Sequence, residues 1–208
     1  MVKNMLKKIF LQGQIPYLPR IKPVLYWAAW LAPFSIFLMP SEHGEFAEIG
    51  WMTLVAVMAI RPLADTLPDL RILRTLTSLR REFGIFAGMM LIAHFAGWMI
   101  DRGVSIFNIF SQSFYWSFDG IFLWGLLGVF LAIIVLMTSN VFAMKLLKRK
   151  WKTVQSLSYL LLIFGGIHIM LVGEESGLAG LLIVGILWIL AKLKIQIKTP
   201  KTLKSPTN

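Results

Sequence analysis

The chain has no cysteine. That excludes disulfides, thiolate metal sites and catalytic thiols, and it leaves the redox compartment unmarked. Histidine is nearly absent too, with 3 in 208 residues, so any haem or metal site has few imidazoles to draw on. Charge is also scarce. Charged residues make up 15% of the chain, against about 25% in a soluble domain. This is too little to cover a water-facing surface and argues against a soluble enzyme. What is abundant is apolar: 57% of residues are hydrophobic, mean hydropathy is +0.73, and the apolar residues come in long runs. An integral membrane protein is the class that follows.

Six apolar stretches run over 24–39, 46–60, 83–100, 120–137, 157–173 and 177–193. A spanning helix needs roughly 20 apolar residues. The third, fourth and sixth reach that comfortably, and the first two borrow flanking residues such as Pro23, Pro40 and Pro62. The expected fold is all-α: an integral membrane six-helix bundle with both termini cytoplasmic. The charges set that orientation. Residues 1–23, 61–82, 138–156 and the tail hold 20 of the 21 basic residues. Glu42, Glu45, Glu48, Asp101, Asp119, Glu174 and Glu175 fall between them, with Arg102 the sole base there. Cytoplasmic loops carry the excess of Lys and Arg, so the net charge of +11 reads as membrane topology and not as a nucleic-acid footprint. A bacterial cytoplasmic (inner) membrane is the expected location.

Three segments follow. Residues 1–23 form a basic cytoplasmic N-terminus, of which 1–12 read as a short amphipathic helix lacking the apolar core of a signal peptide. Residues 24–193 form the six-span domain. Residues 194–208 form a basic disordered tail able to touch anionic lipid. The aromatic stretch 104–118 reads as an interfacial segment, with Tyr115 and Trp116 at home among headgroups.

His94 and His168 carry the most information. Ionisable residues inside spans are rare and point to function. His94 lies 11 residues past Phe83 and His168 lies 11 residues past Leu157. At about 1.5 Å per residue both sit roughly 17 Å from the inner boundary. A single intramembrane histidine more often hydrogen-bonds a neighbouring helix. Two at one depth, on helices running the same way, favour a shared ligand. Bis-imidazole ligation of one haem b fits that placement and suits electron transfer. Ala87, Met90, Leu91, Gly97 and Trp98 share a face with His94, and Leu161, Phe164 and Gly165 share one with His168. A bare metal ion is disfavoured because no carboxylate lies at that depth. Met89, Met90 and Met170 are weaker axial alternatives. Glu42, His43, Glu45 and Glu48 form an acidic cluster that reads first as a solvated loop and second as a site for ferric iron or a basic partner.

Several motifs resemble a known family. Arg80-Arg81-Glu82-Phe83-Gly84, followed by His94, is similar to the "RRxLG … LH" pattern of the ferric reductase-like transmembrane domain family. "AIRPLAD" (59–65), "LAPFSIFL" (31–38) and the stretch 140–171 resemble segments of its MsrQ/YedZ haem-binding subunits, over roughly residues 25–190. The resemblance implies haem-ligand roles for His94 and His168. One position departs: where the family carries a further histidine, thirteen residues before the last, this chain has Gln155, a poor haem ligand. Tyr159 is retained. The resemblance further implies an electron-transfer subunit of an oxidoreductase. It would take electrons from quinol or a flavin donor to an extracytoplasmic acceptor such as a periplasmic molybdoenzyme that repairs methionine sulfoxide. A stand-alone reductase of ferric iron or another outer-face acceptor is the alternative, and a non-redox scaffold or transporter the second. Arg71, Arg74, Arg80 and Arg81 are weak candidates for an FMN phosphate; for each alone, positive-inside topology is the plainer reading.

Overall fold

The computed structural model describes residues 12–197, and these contain helices and no strand. The expected amphipathic N-terminal helix and the end of the basic tail lie outside the described residues. α1 (Leu18–Leu31) leads into 3₁₀ turns at Ala32–Phe37 and Pro40–Glu42. α2 (His43–Thr66) and α3 (Arg71–Thr77) precede α4 (Arg80–Asp101). α5 (Ile106–Ser111) and a 3₁₀ turn at Ser113–Trp116 lead to α6 (Ile121–Met137). α7 (Val141–Leu147), α8 (Lys150–Gln155), α9 (Leu157–Val172) and α10 (Ser176–Lys192) complete the chain.

Among the described residues three helical segments are long and apolar enough to cross a membrane: Pro40–Thr66, Arg80–Asp101 and Lys150–Val172. Ile121–Met137 with Val141–Leu147 makes a fourth, bent by 90°, and Ser176–Lys192 is a shorter apolar helix. The stretch expected at 24–39 is therefore not one continuous α-helix. Proline at position 33 follows the last residues of α1, removes a backbone donor and tightens the chain into 3₁₀ geometry. The bend after α6 has a local cause as well. The Asn140 side chain accepts from the Ala143 backbone N–H at 2.8 Å and so caps a new helix in a new direction.

The helices pack around Trp51, which is 2% exposed and is joined by Leu54, Met58, Ala87, Ala132 and Leu161. Dispersion rather than water exclusion holds such a core together within lipid, so close approach matters. Glycine supplies it. A Cβ at Gly180 would lie 2.7 Å from the Trp51 ring, so only glycine lets α10 close on α2. The Trp51 indole N–H then donates to the Ser176 carbonyl at 3.1 Å, tying the same two helices together.

The segment 104–118 folds as a short helix and a 3₁₀ turn. Tyr115 is buried at 9% exposure, while Phe107, Phe110, Phe114 and Phe118 point outward. The Trp116 indole N–H turns inward to the Ile109 carbonyl at 2.8 Å. The exposed aromatics here are phenylalanines, while Tyr115 packs its ring against Trp98 and Phe122.

Candidate functional site

α4 and α9 bring the two intramembrane histidines together. The His94 and His168 rings have centroids 6.5 Å apart and planes at 55°. Each ring is held by a main-chain carbonyl. His94 Nδ1 pairs with the His43 carbonyl at 2.8 Å, and His168 Nδ1 pairs with the Ile121 carbonyl at 2.8 Å. A carbonyl can only accept, so each Nδ1 carries the proton and donates. Each Nε2 is then left with its lone pair, the arrangement that orients an imidazole for a metal.

Both rings line one cavity of about 920 Å³, within the size range of cofactor sites. Leu91, Trp98, Gly125, Leu161 and Gly165 are on its wall. A Cβ at Gly125 would lie 3.0 Å from Cε1 and Nδ1 of His168, and one at Gly165 would lie 3.3 Å from Trp51. Small residues thus clear the space beside the ligand ring. The donor set fits a haem in kind: His94 and His168, from two helices, line one cavity with their rings 6.5 Å apart and each Nδ1 engaged by a carbonyl, and such imidazoles would hold haem iron. Among the described residues no three His, Asp or Glu side chains gather closely enough to hold a bare metal ion.

The remaining candidates sort plainly. Ala87 and Met90 belong to packed clusters, and Met89 packs beside Ala29. Neither they nor Met170 line the cavity, and Phe164 packs against Trp124 instead, the rings tilted at 54°. Gly97 serves another purpose, since a Cβ there would meet Ile36 at 2.6 Å and His43 at 2.9 Å.

His43 is the residue that sequence reasoning placed elsewhere. It is the first residue of α2, on the cavity wall, with its ring 5.4 Å from that of His94. Its side chain is 20% exposed, with Nε2 3.9 Å from Asp101 Oδ2, and its buried Nδ1 has no partner. The available signal was its position one turn above the second apolar stretch, where a slightly longer helix carries it into the bundle. Glu42, Glu45 and Glu48 line the same cavity from this end.

The arginines divide. Arg80 Nε donates to the Val57 carbonyl at 3.2 Å and Arg81 Nε to the Ser139 carbonyl at 3.1 Å. Arg81 also lies over the Tyr26 ring at 5.2 Å. Both line a second cavity at the opposite end of these helices, with Gln155 and Tyr159, whereas Arg71 and Arg74 on α3 do not. Gln155 Nε2 donates to Thr138 Oγ1 at 2.9 Å and to the Val135 carbonyl at 3.2 Å. It clasps α8 to the end of α6, a structural use of the position.

Compared with known proteins, the chain is similar to the protein-methionine-sulfoxide reductase heme-binding subunit MsrQ of Agrobacterium fabrum (strain C58). The two are 25% identical over 203 residues, covering 91% of this chain and 93% of that protein. No family model matches the chain, and no solved structure matches it.

Proposed function

We propose that this chain is a membrane electron-transfer subunit of an oxidoreductase, holding one haem b between His94 and His168. The observation that carries the reading is the pair of imidazoles, each fixed by an Nδ1–H to a carbonyl and set 6.5 Å apart on the wall of one cavity. The similarity to a heme-binding subunit along nearly the whole chain supports it. When bound, the haem supplies a one-electron couple, Fe(III)/Fe(II). The chain's residues would do the rest: His94 and His168 would hold the iron, a ligand set that suits electron transfer, while Trp51, Leu54 and Leu161 give the site an apolar wall.

The proposed topology is six spans with both termini cytoplasmic, in a bacterial inner membrane. α1 and its following 3₁₀ turn cover 20 residues, Leu18–Phe37. Laid end to end they reach about 33 Å, enough for one crossing. α10 has 17 residues, at the short end of the spanning range of about 17–25. Electrons pass from quinol or a flavin donor to an extracytoplasmic acceptor, and a periplasmic molybdoenzyme is the acceptor that the resemblance favours.

The test is the absorption spectrum of the purified, haem-supplemented chain. A Soret band with sharp α and β bands on dithionite reduction is expected, and both His94→Ala and His168→Ala lose the low-spin form. Protein without haem absorbance refutes the reading. A normal spectrum in either variant refutes the ligand assignment.

A further inference from the structure

His94, Trp98 and Arg102 stand four residues apart along α4 and its C-cap. Four residues advance a helix by about 6 Å with little net rotation. The three therefore form one row, with Trp98 and Arg102 about 6 Å and about 12 Å beyond the candidate iron ligand. All three line the upper, histidine-lined cavity, and Arg102 is the one Lys or Arg among its described lining residues. Tyr115 is on the same lining and meets Trp98 edge to face, with ring centroids 6.2 Å apart.

These side chains hold unused donors. Neither the Trp98 indole N–H nor the Tyr115 hydroxyl makes a hydrogen bond within the described residues, although Tyr115 is only 9% exposed. A buried hydroxyl left without a partner is costly, and the neighbouring Trp116 does find a carbonyl. Arg102 Nε lies 3.6 Å from Asp101 Oδ2, a residue off the lining, and the two terminal guanidinium nitrogens are unengaged. The acids of the lining are four glutamates, which come from the start of α2 and from the link between α9 and α10. Their charge repels an anion, so the corner beside Arg102 is where one is best received.

From this we infer that Trp98, Arg102 and Tyr115 form a carboxylate-binding corner, and that the carboxylate it takes is a haem propionate. The identity of that ligand rests on the haem reading above. The corner suits the group in kind. An ionised carboxylate only accepts, and it has lone pairs for several donors at once. Bonds to it from a guanidinium are charge-assisted and among the stronger ones. One helix would then serve both ends of the cofactor, holding iron through His94 and the acidic edge through the next two residues of the row. Trp98, Arg102 and Tyr115 are positioning residues in this scheme. They would set which way the ring is turned, with its propionate edge toward the end of α4 and its apolar edge toward Leu54 and Leu161.

The test sets haemin against haemin dimethyl ester, in which both propionates are capped and uncharged. Each is titrated into the full-length apoprotein in detergent and followed at the Soret band. Tyr115→Phe removes one buried donor to an anion and should weaken haemin binding about tenfold. Arg102→Gln removes a charge on a side chain that is 66% exposed, and should weaken it about threefold. Ester affinity is expected to stay at the wild-type value in both variants. The low-spin spectrum of the bound ester stays as well, because His94 and His168 are untouched, and it shows that each variant is folded. Equal weakening of both ligands, or weakening of neither, overturns the assignment of the residue concerned, and in both variants it overturns the corner while the haem reading stands. Wild-type protein that takes up neither ligand refutes the haem reading, and the propionate assignment falls with it.

Discussion

Adding a single methyl group at Gly125 tests the geometry of the upper site more sharply than removing a ligand. The Cβ of Gly125→Ala would lie 3.0 Å from Cε1 and Nδ1 of His168. Carbon atoms pack without repulsion at about 3.5 Å, so the ring must retreat by about 0.5 Å or α6 and α9 must part by as much. Neither response is free. The Nδ1 contact to the Ile121 carbonyl stands at 2.8 Å, and a shift of about 0.5 Å takes it to about 3.3 Å, just past the normal range. Loosening a partner that orients a metal ligand typically costs 10–100-fold in affinity. Gly125→Ala should therefore weaken haem binding by about tenfold, and Gly125→Val, with two more methyl groups against the ring, by about a hundredfold or more. The assay is titration of the apoprotein with haemin in detergent, followed at the Soret band, with the low-spin electron paramagnetic resonance signal as a readout of ligand geometry. Gly185→Ala is the control, since a Cβ there meets nothing within 4 Å. Wild-type affinity and an unchanged low-spin signal in Gly125→Val would refute the placement of His168 against α6.

Three further outcomes follow from the same contacts. His43→Ala should keep a low-spin bis-imidazole spectrum, because His94 is held by the backbone carbonyl of residue 43 and not by its side chain; loss of that spectrum would make His43 a ligand. Gln155→Ala removes the hydrogen bonds to Thr138 and Val135 and should lower stability by about 1 kcal/mol, read as a drop in melting temperature in detergent with haem content intact. Trp51→Ala opens a void where α2, α9 and α10 meet and also deletes the bond to Ser176. A loss of about 3–5 kcal/mol is expected by analogy with buried aromatic truncations, measured by denaturant unfolding.

The parts of the molecule legible in the sequence are those written in side-chain chemistry. The scarcity of charge gave the helical membrane class, and the position of two histidines in parallel stretches brought His94 and His168 to one place. The parts that were not legible depend on the main chain. The carbonyls of His43 and Ile121 that orient the ligands belong to every residue and mark none. His43 was hidden for a related reason: its neighbours Glu42 and Glu45 made it look solvated, while the close approach that draws it inward depends on Gly97 across the interface. The break after Met137 was legible, since the fourth apolar stretch ends there at Thr138-Ser139-Asn140; the 90° bend that follows was not. The second cavity was invisible because its walls come from helices far apart in the chain.

The lengths of α6 and α10 have a consequence for the surrounding lipid. Each has 17 residues and so spans about 25 Å, against a hydrocarbon thickness of about 30 Å. Bilayer next to these two helices must compress by several ångströms or the helices must recruit flanking turns to fill it, and the strain is a fraction of a kcal/mol per ångström. On the proposed six-span reading, a bilayer thinned beside these helices would shorten the distance an electron has to cover between the two aqueous faces.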